Sequence, residues 1–500
     1  MPNAYPLLEE QYRKLARLDH ALTFLQWDHM VMMPPGGSEP RARAIAELTA
    51  LRHELLISPQ TGDLLQNAAG QVTVPNQRRS LQEMEREYQR AICLPSDLVK
   101  AQALAGSKCE HGWRSQRQNN DWPGFLANFK EVVELARQEA QARHDVAPSR
   151  FPTAYDAMLD LYCTGDSNNF IVDVFATLKK VLPGLVQQVV DKQKGDLVPD
   201  FVGQYPLDQQ RLLNLELMKC LKFNFNEGRQ DVSSHPFSTG CRGDQRITTR
   251  FRDSDFMDAL LATAHETGHA SYENGLPIEW DGLPVGAARN MCIHESQSLL
   301  FEKQIFLSRP FIAFFINRLH SFLPITAEFD APQLWAAATR VRPSYIRVEA
   351  DEVTYPLHVI LRYEIESNLI NNTIKIEDIP EIWDTKMQEY FGLSTAGNYR
   401  NGCMQDMHWT DGSFGYFPSY TIGALNAAQL FAAIRHTHPD WQEKLAIGDV
   451  RFIRDWLKDS IWSKGSTVDS QEIIRAATGE PTNPDYFLRH IQDRYLGGLY

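Results

Sequence analysis

Residues 263 to 272, "TAHETGHASY", hold two histidines four positions apart with a glutamate directly after the first. On an α-helix, positions i and i+4 share a face, so His265 and His269 project together and can offer two imidazole nitrogens to one metal ion. Glu266, one position on, stands beside such an ion rather than on it, where its carboxylate can take a proton from an activated water. A helix that merely carries two surface histidines satisfies the same spacing, so the string alone does not decide between them.

The surrounding sequence supplies the element this chemistry needs. From Asp253, "DSDFMDALLATAHETGHASYENG" carries Phe256, Leu260, Leu261 and Ala264 at helical spacing. Asp253 or Ser254 can cap the start, and Asn274 with Gly275 can close the end. Two histidines leave zinc short of ligands, so a third donor is required, with one position open for water. The segment "NMCIHESQSLLFEKQIF", residues 290 to 306, reads as a second helix and offers His294, Glu295 and Glu302. Glu295 lies on an otherwise apolar stripe with Cys292 and Leu299, an odd choice for a core position. A glutamate on an exposed face is the plainer reading of the same residue.

The rest of the chain narrows the possibilities. Its 500 residues are 43% hydrophobic, enough for a substantial core, and carry a net charge of −13 without a dense Lys/Arg run. Nucleic acid and anionic membrane surfaces are therefore poor partners. The most apolar stretch, "PFIAFFINRLHSFLPI", is interrupted by Asn317, Arg318 and His320, too soon for a membrane span. The start, "MPNAYPLLEEQYRK", is acidic where a signal peptide is basic and apolar, so a cytoplasmic protein is expected. Seven cysteines without a CxxC pair fit a reducing compartment and offer no thiolate cage, so a metal here would be held by His and Glu.

Helical periodicity dominates. It predicts helices over 6–27, 38–57, 77–92, 123–144, 169–193, 207–221, 254–273, 286–307 and 350–371. "MMPPGG" at 32 to 37 breaks the first helical hairpin, and "DWPGF" at 121 to 125 reads as a cap and first turn. The clearest β signal is 229 to 251, where "CRGDQ" separates a first extended run from "RITTRF" and predicts a small antiparallel hairpin. With no convincing linker, the chain is expected to be one mostly helical unit over 1–500.

The pair HETGH and IHESQS resembles the two metal motifs of the carboxypeptidase Taq family of zinc metallocarboxypeptidases. "HPF" at 235 to 237, "DQRITTR" at 244 to 250, "IRVEADEVTYPLH" at 346 to 358, "GCMQDMHWTDGSFGYFPSYTIG" at 402 to 423 and "LQWDHMVMMPPGG" at 25 to 37 extend the resemblance over nearly the whole chain. It implies a large helical fold with a deep groove, related to neurolysin and angiotensin-converting enzyme, with the helices up to about residue 110 as a lid. It also implies a homodimer acting on peptides that have a free C-terminus. His265, His269 and Glu295 are then the metal ligands, with zinc expected and cobalt or manganese acceptable to the same donors.

A carboxypeptidase must recognise a terminal carboxylate, for which a bidentate arginine is the best-shaped side chain. The family's IRxxAD motif falls on Ile346 to Asp351, which makes Arg347 the first choice and Arg246 the second. Pairing of Arg347 with Asp351, four residues on, is the structural alternative, and Asp351 or Glu352 could instead orient a ligand histidine. By resemblance to related helical zinc peptidases, Tyr420 is expected to donate to the oxyanion and His408 to hydrogen-bond substrate or transition state, with Tyr416 the alternative for either role. Gly412 and Gly415 suggest a flexible loop that closes over substrate. Leu299 and Phe301 stand where the family pattern has Arg and Trp, which leaves the substrate preference open. The alternatives are an endo- or dipeptidyl peptidase with the same chemistry, or a peptide-binding scaffold without turnover. Cys241, Cys292 and Cys403, near site segments, raise oxidation sensitivity beside the plainer reading of buried thiols.

Overall fold

Apolar side chains recur every three to four residues along much of the chain, and most of those stretches are helical, although the helices expected from 286 and 350 begin at Met291 and Tyr355. The computed structural model describes residues 4–497 apart from 197, 199, 200 and 202. The helices before the sheet are α1 (Ala4–Val31), α2 (Ser38–Leu56), α3 (Pro59–Ala69), α4 (Pro75–Ile92), α5 (Ser96–Gln118), α6 (Trp122–Val146), α7 (Ala154–Leu159), α8 (Asn168–Gln193) and α9 (Leu207–Cys220). A short sheet follows, and then α10 (Met257–Gly275), α11 (Met291–Leu299), α12 (Arg309–Phe322), α13 (Ala331–Ala338), α14 (Tyr355–Ile370), α15 (Ile379–Phe391) and α16 (Pro418–Thr437). Four further short helices occupy 441–491. Helix α8 illustrates the rule: Ile171, Val174, Phe175, Leu178, Leu182, Leu185, Val186 and Val189 are its buried face, and the Ser167 side chain caps it by accepting from Phe170 N at 3.2 Å. Asp121 caps α6 as expected, accepting from Gly124 N at 2.9 Å.

The β segment differs from the expected hairpin. Strands β2 (Phe237–Cys241) and β3 (Asp244–Thr249) do form an antiparallel pair closed by Arg242-Gly243, with Cys241 opposite Asp244. The first extended run, however, supplies two strands. Its earlier half, β1 (Gly228–Val232), lies parallel to β3 on the far side, giving the mixed order β1-β3-β2. Pro236, which has no amide hydrogen, falls in the break between β1 and β2.

Two large cores meet at the centre. One gathers Phe125, Phe129, Trp383, Trp409, Phe414 and Phe417, the other Phe301, Phe306, Phe311, Phe315 and Trp462. Helices α11 and α16 contribute to both: Cys292 and Ile422 face the first, Ile293 and Leu430 the second. Each large side chain so buried stabilises the fold by roughly 1.5–3 kcal/mol relative to exposure. An element wedged between two cores has little freedom, and α11 is the one that carries Glu295. A third, smaller cluster ties α1, α3 and α4 together with Leu283 and Val285. Arg289 joins those helices to the rest through a buried pair with Glu83 at 3.0 Å. Among the described residues, no helix is long and apolar enough to cross a membrane.

Candidate metal centre

Helix α10 starts slightly later than its sequence suggests. Its N-cap residue is Phe256, and Asp255 just before it, rather than Asp253 or Ser254, satisfies the first turn, its Oδ1 accepting from Met257 N at 2.9 Å and Asp258 N at 3.1 Å. At the far end Gly275 permits close packing, because a Cβ there would lie 2.4 Å from the Trp462 ring. Between these ends His265 and His269 face α11. Glu295 Oε2 is 3.5 Å from His265 Nε2 and 3.8 Å from His269 Nε2, and the three donor atoms lie within 4.8 Å of one another.

Those separations fit a metal. Donors about 2.0–2.1 Å from a tetrahedral ion stand about 3.3 Å apart, whereas an N–H···O bond is about 2.9 Å long. Both Nδ1 atoms are held from behind. His265 Nδ1 donates to Glu302 Oε2 at 2.9 Å, and His269 Nδ1 lies 2.6 Å from His294 Nδ1. Glu302 sits on a π-helical turn, Leu300–Phe306, that continues α11. Orientation of metal-binding histidines by such partners is the usual arrangement. Asp351 and Glu352 do not take that part. Asp351 accepts from Val353 N and Thr354 N, and Glu352 pairs with His490 and Arg494.

The charge balance also suits a cation. Burial would lower the His265 pKa, but the Glu295 and Glu302 carboxylates prevail and hold it well above its ordinary value. His269 is pushed the other way by burial and by the neighbouring imidazoles of His294 and His265. Burial raises Glu266 to about 7, near the value a general base needs at neutral pH.

The other expected site residues divide. Tyr420, Tyr416 and His408 are brought together: His408 Nε2 lies 3.3 Å from the Tyr420 hydroxyl, and the two tyrosine rings are 5.1 Å apart. Burial, with the Glu295 charge as a lesser contributor, keeps both phenols protonated and therefore donors. Burial and then Arg347 lower His408 to about 4, so the ring is neutral, and its buried Nδ1 has no partner among the described residues. Arg347 joins the cluster, its guanidinium carbon 5.3 Å from the Tyr420 ring centre. It pairs not with Asp351 but with Asp406, through Nε at 2.9 Å, and Nη1 donates to the Tyr355 hydroxyl at 2.7 Å. Of the five guanidinium hydrogens, two are thereby engaged.

Arg246 is occupied elsewhere. Asp244 holds it through two bonds, at 2.6 and 2.9 Å, and it covers Trp27 of α1 at 4.5 Å. Gly412 and Gly415 both have positive φ, but Gly415 is no free hinge. Its N–H donates to the buried Glu366 at 3.1 Å, and a Cβ there would lie 2.8 Å from the Met158 backbone. The glycine allows close packing, which anchors the segment. Asp406, Tyr355 and Glu273 escaped the sequence reading, since their partners lie on other elements.

A family model described as carboxypeptidase Taq (M32) metallopeptidase matches residues 7–495. Thermostable carboxypeptidase 1 of Thermus thermophilus is 34% identical, with 98% of each chain covered. Carboxypeptidase 1 of Bacillus subtilis is 31% identical, with 97% of each covered. Among solved structures, Trypanosoma cruzi metallocarboxypeptidase 1 superposes with a TM-score of 0.96 at 37% identity, covering 99% of both chains. Pyrococcus furiosus carboxypeptidase gives 0.94 at 31%, again over 99% of both.

Proposed function

The chain belongs to the carboxypeptidase Taq (M32) family of metallopeptidases, which are peptide hydrolases, and from that premise we propose that it releases single residues from the free C-termini of peptides. His265, His269 and Glu295 hold a divalent ion, zinc in the first instance, with cobalt or manganese acceptable to the same donors. When bound, the ion supplies Lewis-acid polarisation of a water and of the scissile carbonyl. Glu266, with its carboxyl raised to about 7, takes the proton from the attacking water and passes it to the leaving amine. The Tyr420 hydroxyl donates to the oxygen that becomes negative, with Tyr416 as the alternative donor, and His408 hydrogen-bonds the substrate from beside it.

The observation that favours an exopeptidase is Arg347 beside Tyr420 with only two of its five donors engaged among the described residues. A terminal carboxylate is the group that the remaining end of such a fork fits. Arg246, locked to Asp244, is set aside as the anchor. We further read the chain as one catalytic unit whose helices up to about residue 110 cover the groove, and as a cytoplasmic homodimer. Its seven thiols are all free, which suits a reducing compartment.

The test is to incubate metal-loaded protein and its Glu266→Gln variant with one unblocked peptide and with its C-terminal amide, following products by mass. Single residues should leave only the free acid, and the variant should be silent. Internal cuts in both peptides would instead indicate an endo- or dipeptidyl peptidase. No cleavage by the metal-loaded wild type would leave the peptide-binding scaffold.

A further inference from the structure

The two histidines of the metal centre are not oriented in the same way. His265 leans directly on a carboxylate, since its Nδ1–H donates to Glu302, which Lys303 in turn neutralises at 2.6 Å. His269 leans on another imidazole. Its Nε2 faces Glu295, so with a metal between them the lone pair is on Nε2 and the ring hydrogen on Nδ1. That hydrogen points at His294 Nδ1, 2.6 Å away. To accept it, His294 carries its own hydrogen on Nε2, which lies 2.8 Å from Glu273 Oε1. With a metal on His269 Nε2 each hydrogen in the series has one receiver, and the row reads Glu273, His294, His269, metal. The His294 ring is held in that pose by Tyr272, whose ring meets it edge to face at 5.2 Å. Met291–Leu299, the helix that supplies Glu295, also supplies His294.

We propose that His294 is the positioning residue for His269: it fixes the tautomer and ring angle of that ligand and transmits to it the charge of Glu273. This rests on the metal-centre reading given above. The geometry favours it over simple packing because a phenyl or alkyl group would fill the same space without accepting the Nδ1 hydrogen. A carboxylate at one remove has a second consequence. Glu273 is 37% exposed, so the far end of the row is screened by water, whereas Glu302 is buried. His269 is thereby the more weakly supported of the two histidine ligands.

The experiment measures zinc affinity by competition with a chromophoric chelator for wild type, His294→Gln, His294→Leu and Glu273→Gln, together with the thermal midpoint of each metal-free protein. Glutamine keeps an acceptor for His269 and a donor for Glu273, and leucine keeps neither. His294→Leu is expected to weaken zinc binding by about 10- to 100-fold, and Glu273→Gln by less. His294→Gln should stay within about threefold of wild type on the same scale. Metal-free midpoints should not follow that order. Equal affinities for wild type and His294→Leu would overturn the proposal, as would a His294→Gln defect as large as that of leucine, which marks a packing role. Should leucine not fold, the Glu273→Gln and His294→Gln affinities still decide: no loss in the first or a large loss in the second sinks it. If wild type itself binds no zinc, the metal centre is misread and the proposal falls with it.

Discussion

Gly423 of α16 lies so close to Glu295 of α11 that a Cβ on the glycine would stand 2.5 Å from the Cβ of the glutamate. Across the same helix, a Cβ at Gly268 of α10 would lie 2.6 Å from the Gln297 carbonyl oxygen. The helix that carries Glu295 is thus gripped between two glycine-lined neighbours. Gly423→Ala should push it away, costing about 1–3 kcal/mol of stability and at least about tenfold in metal affinity. Gly184→Ala on α8, where a Cβ would meet nothing within 4 Å, is the control and should be neutral or slightly stabilising. Unchanged metal affinity in Gly423→Ala would show that this close contact does not set the site.

Removing the Tyr420 hydroxyl should act on turnover more than on binding. Tyr420→Phe is expected to lower kcat by about 100- to 1000-fold with KM little altered, because in the proposed role the donor serves charge that develops in the transition state. A rise in KM at constant kcat would place Tyr420 in ground-state binding.

Arg347→Lys keeps the positive charge beside Asp406 but loses the planar fork. It should reduce kcat/KM on free-acid peptides by about tenfold or more, chiefly through KM. Retention of the free-acid preference would remove Arg347 as the anchor.

Glu366 gives the fold a pH signature away from the metal. Burial raises its pKa to about 7, although the Tyr155 hydroxyl, Trp409 Nε1 and Gly415 N all donate to it. The unfolded chain releases that proton near the ordinary value of 4.5. Between these values the folded state holds more protons, so stability falls as pH rises from about 4.5 to about 7 and stays lower above. The change is on the order of 3 kcal/mol. Relative to Glu366→Gln, the wild type should lose ground between pH 5 and pH 8 in denaturant titrations. A constant difference would mean that Glu366 is ionised throughout.

Thiol chemistry separates two cysteines from five. Cys93 and Cys241 are partly exposed, whereas Cys109, Cys163, Cys220, Cys292 and Cys403 are buried. Cys292 packs against Cys163 with their sulfurs 3.1 Å apart, and burial pushes the Cys109 thiol up to about 12. A disulfide reagent should therefore label two thiols quickly and the rest only on unfolding. Rapid loss of Cys292 would reveal opening of α11.

Much of the site is legible in the sequence because its signals are local. His265, Glu266 and His269 fall within five residues, and the apolar spacing of α10 gives the helix that presents them. Glu295, on a second helix, is reached through its motif, but which side chains from distant segments pair with one another is not legible. Glu302 reaches His265 across 37 residues and His294 reaches His269 across 25, through the pairing of α10 with α11. Arg347 finds Asp406 across 59 residues, and no helix-face rule connects those two. Arg246 was the more readable case. Asp244 and Arg246 are two apart on a strand, hence on one face, and that spacing already pairs them. The parallel placement of β1 also lay beyond a local reading, since the break at Pro236 is compatible with a return on either side of β3.

The most direct test of the metal centre is metal removal and return. Protein stripped with a chelator and dialysed should hydrolyse no unblocked peptide. Zinc, cobalt or manganese should restore activity with a break at one equivalent per chain, and His269→Ala should show no such break at the same concentrations. Full activity in metal-free protein would contradict the account, as would a titration that needs two equivalents.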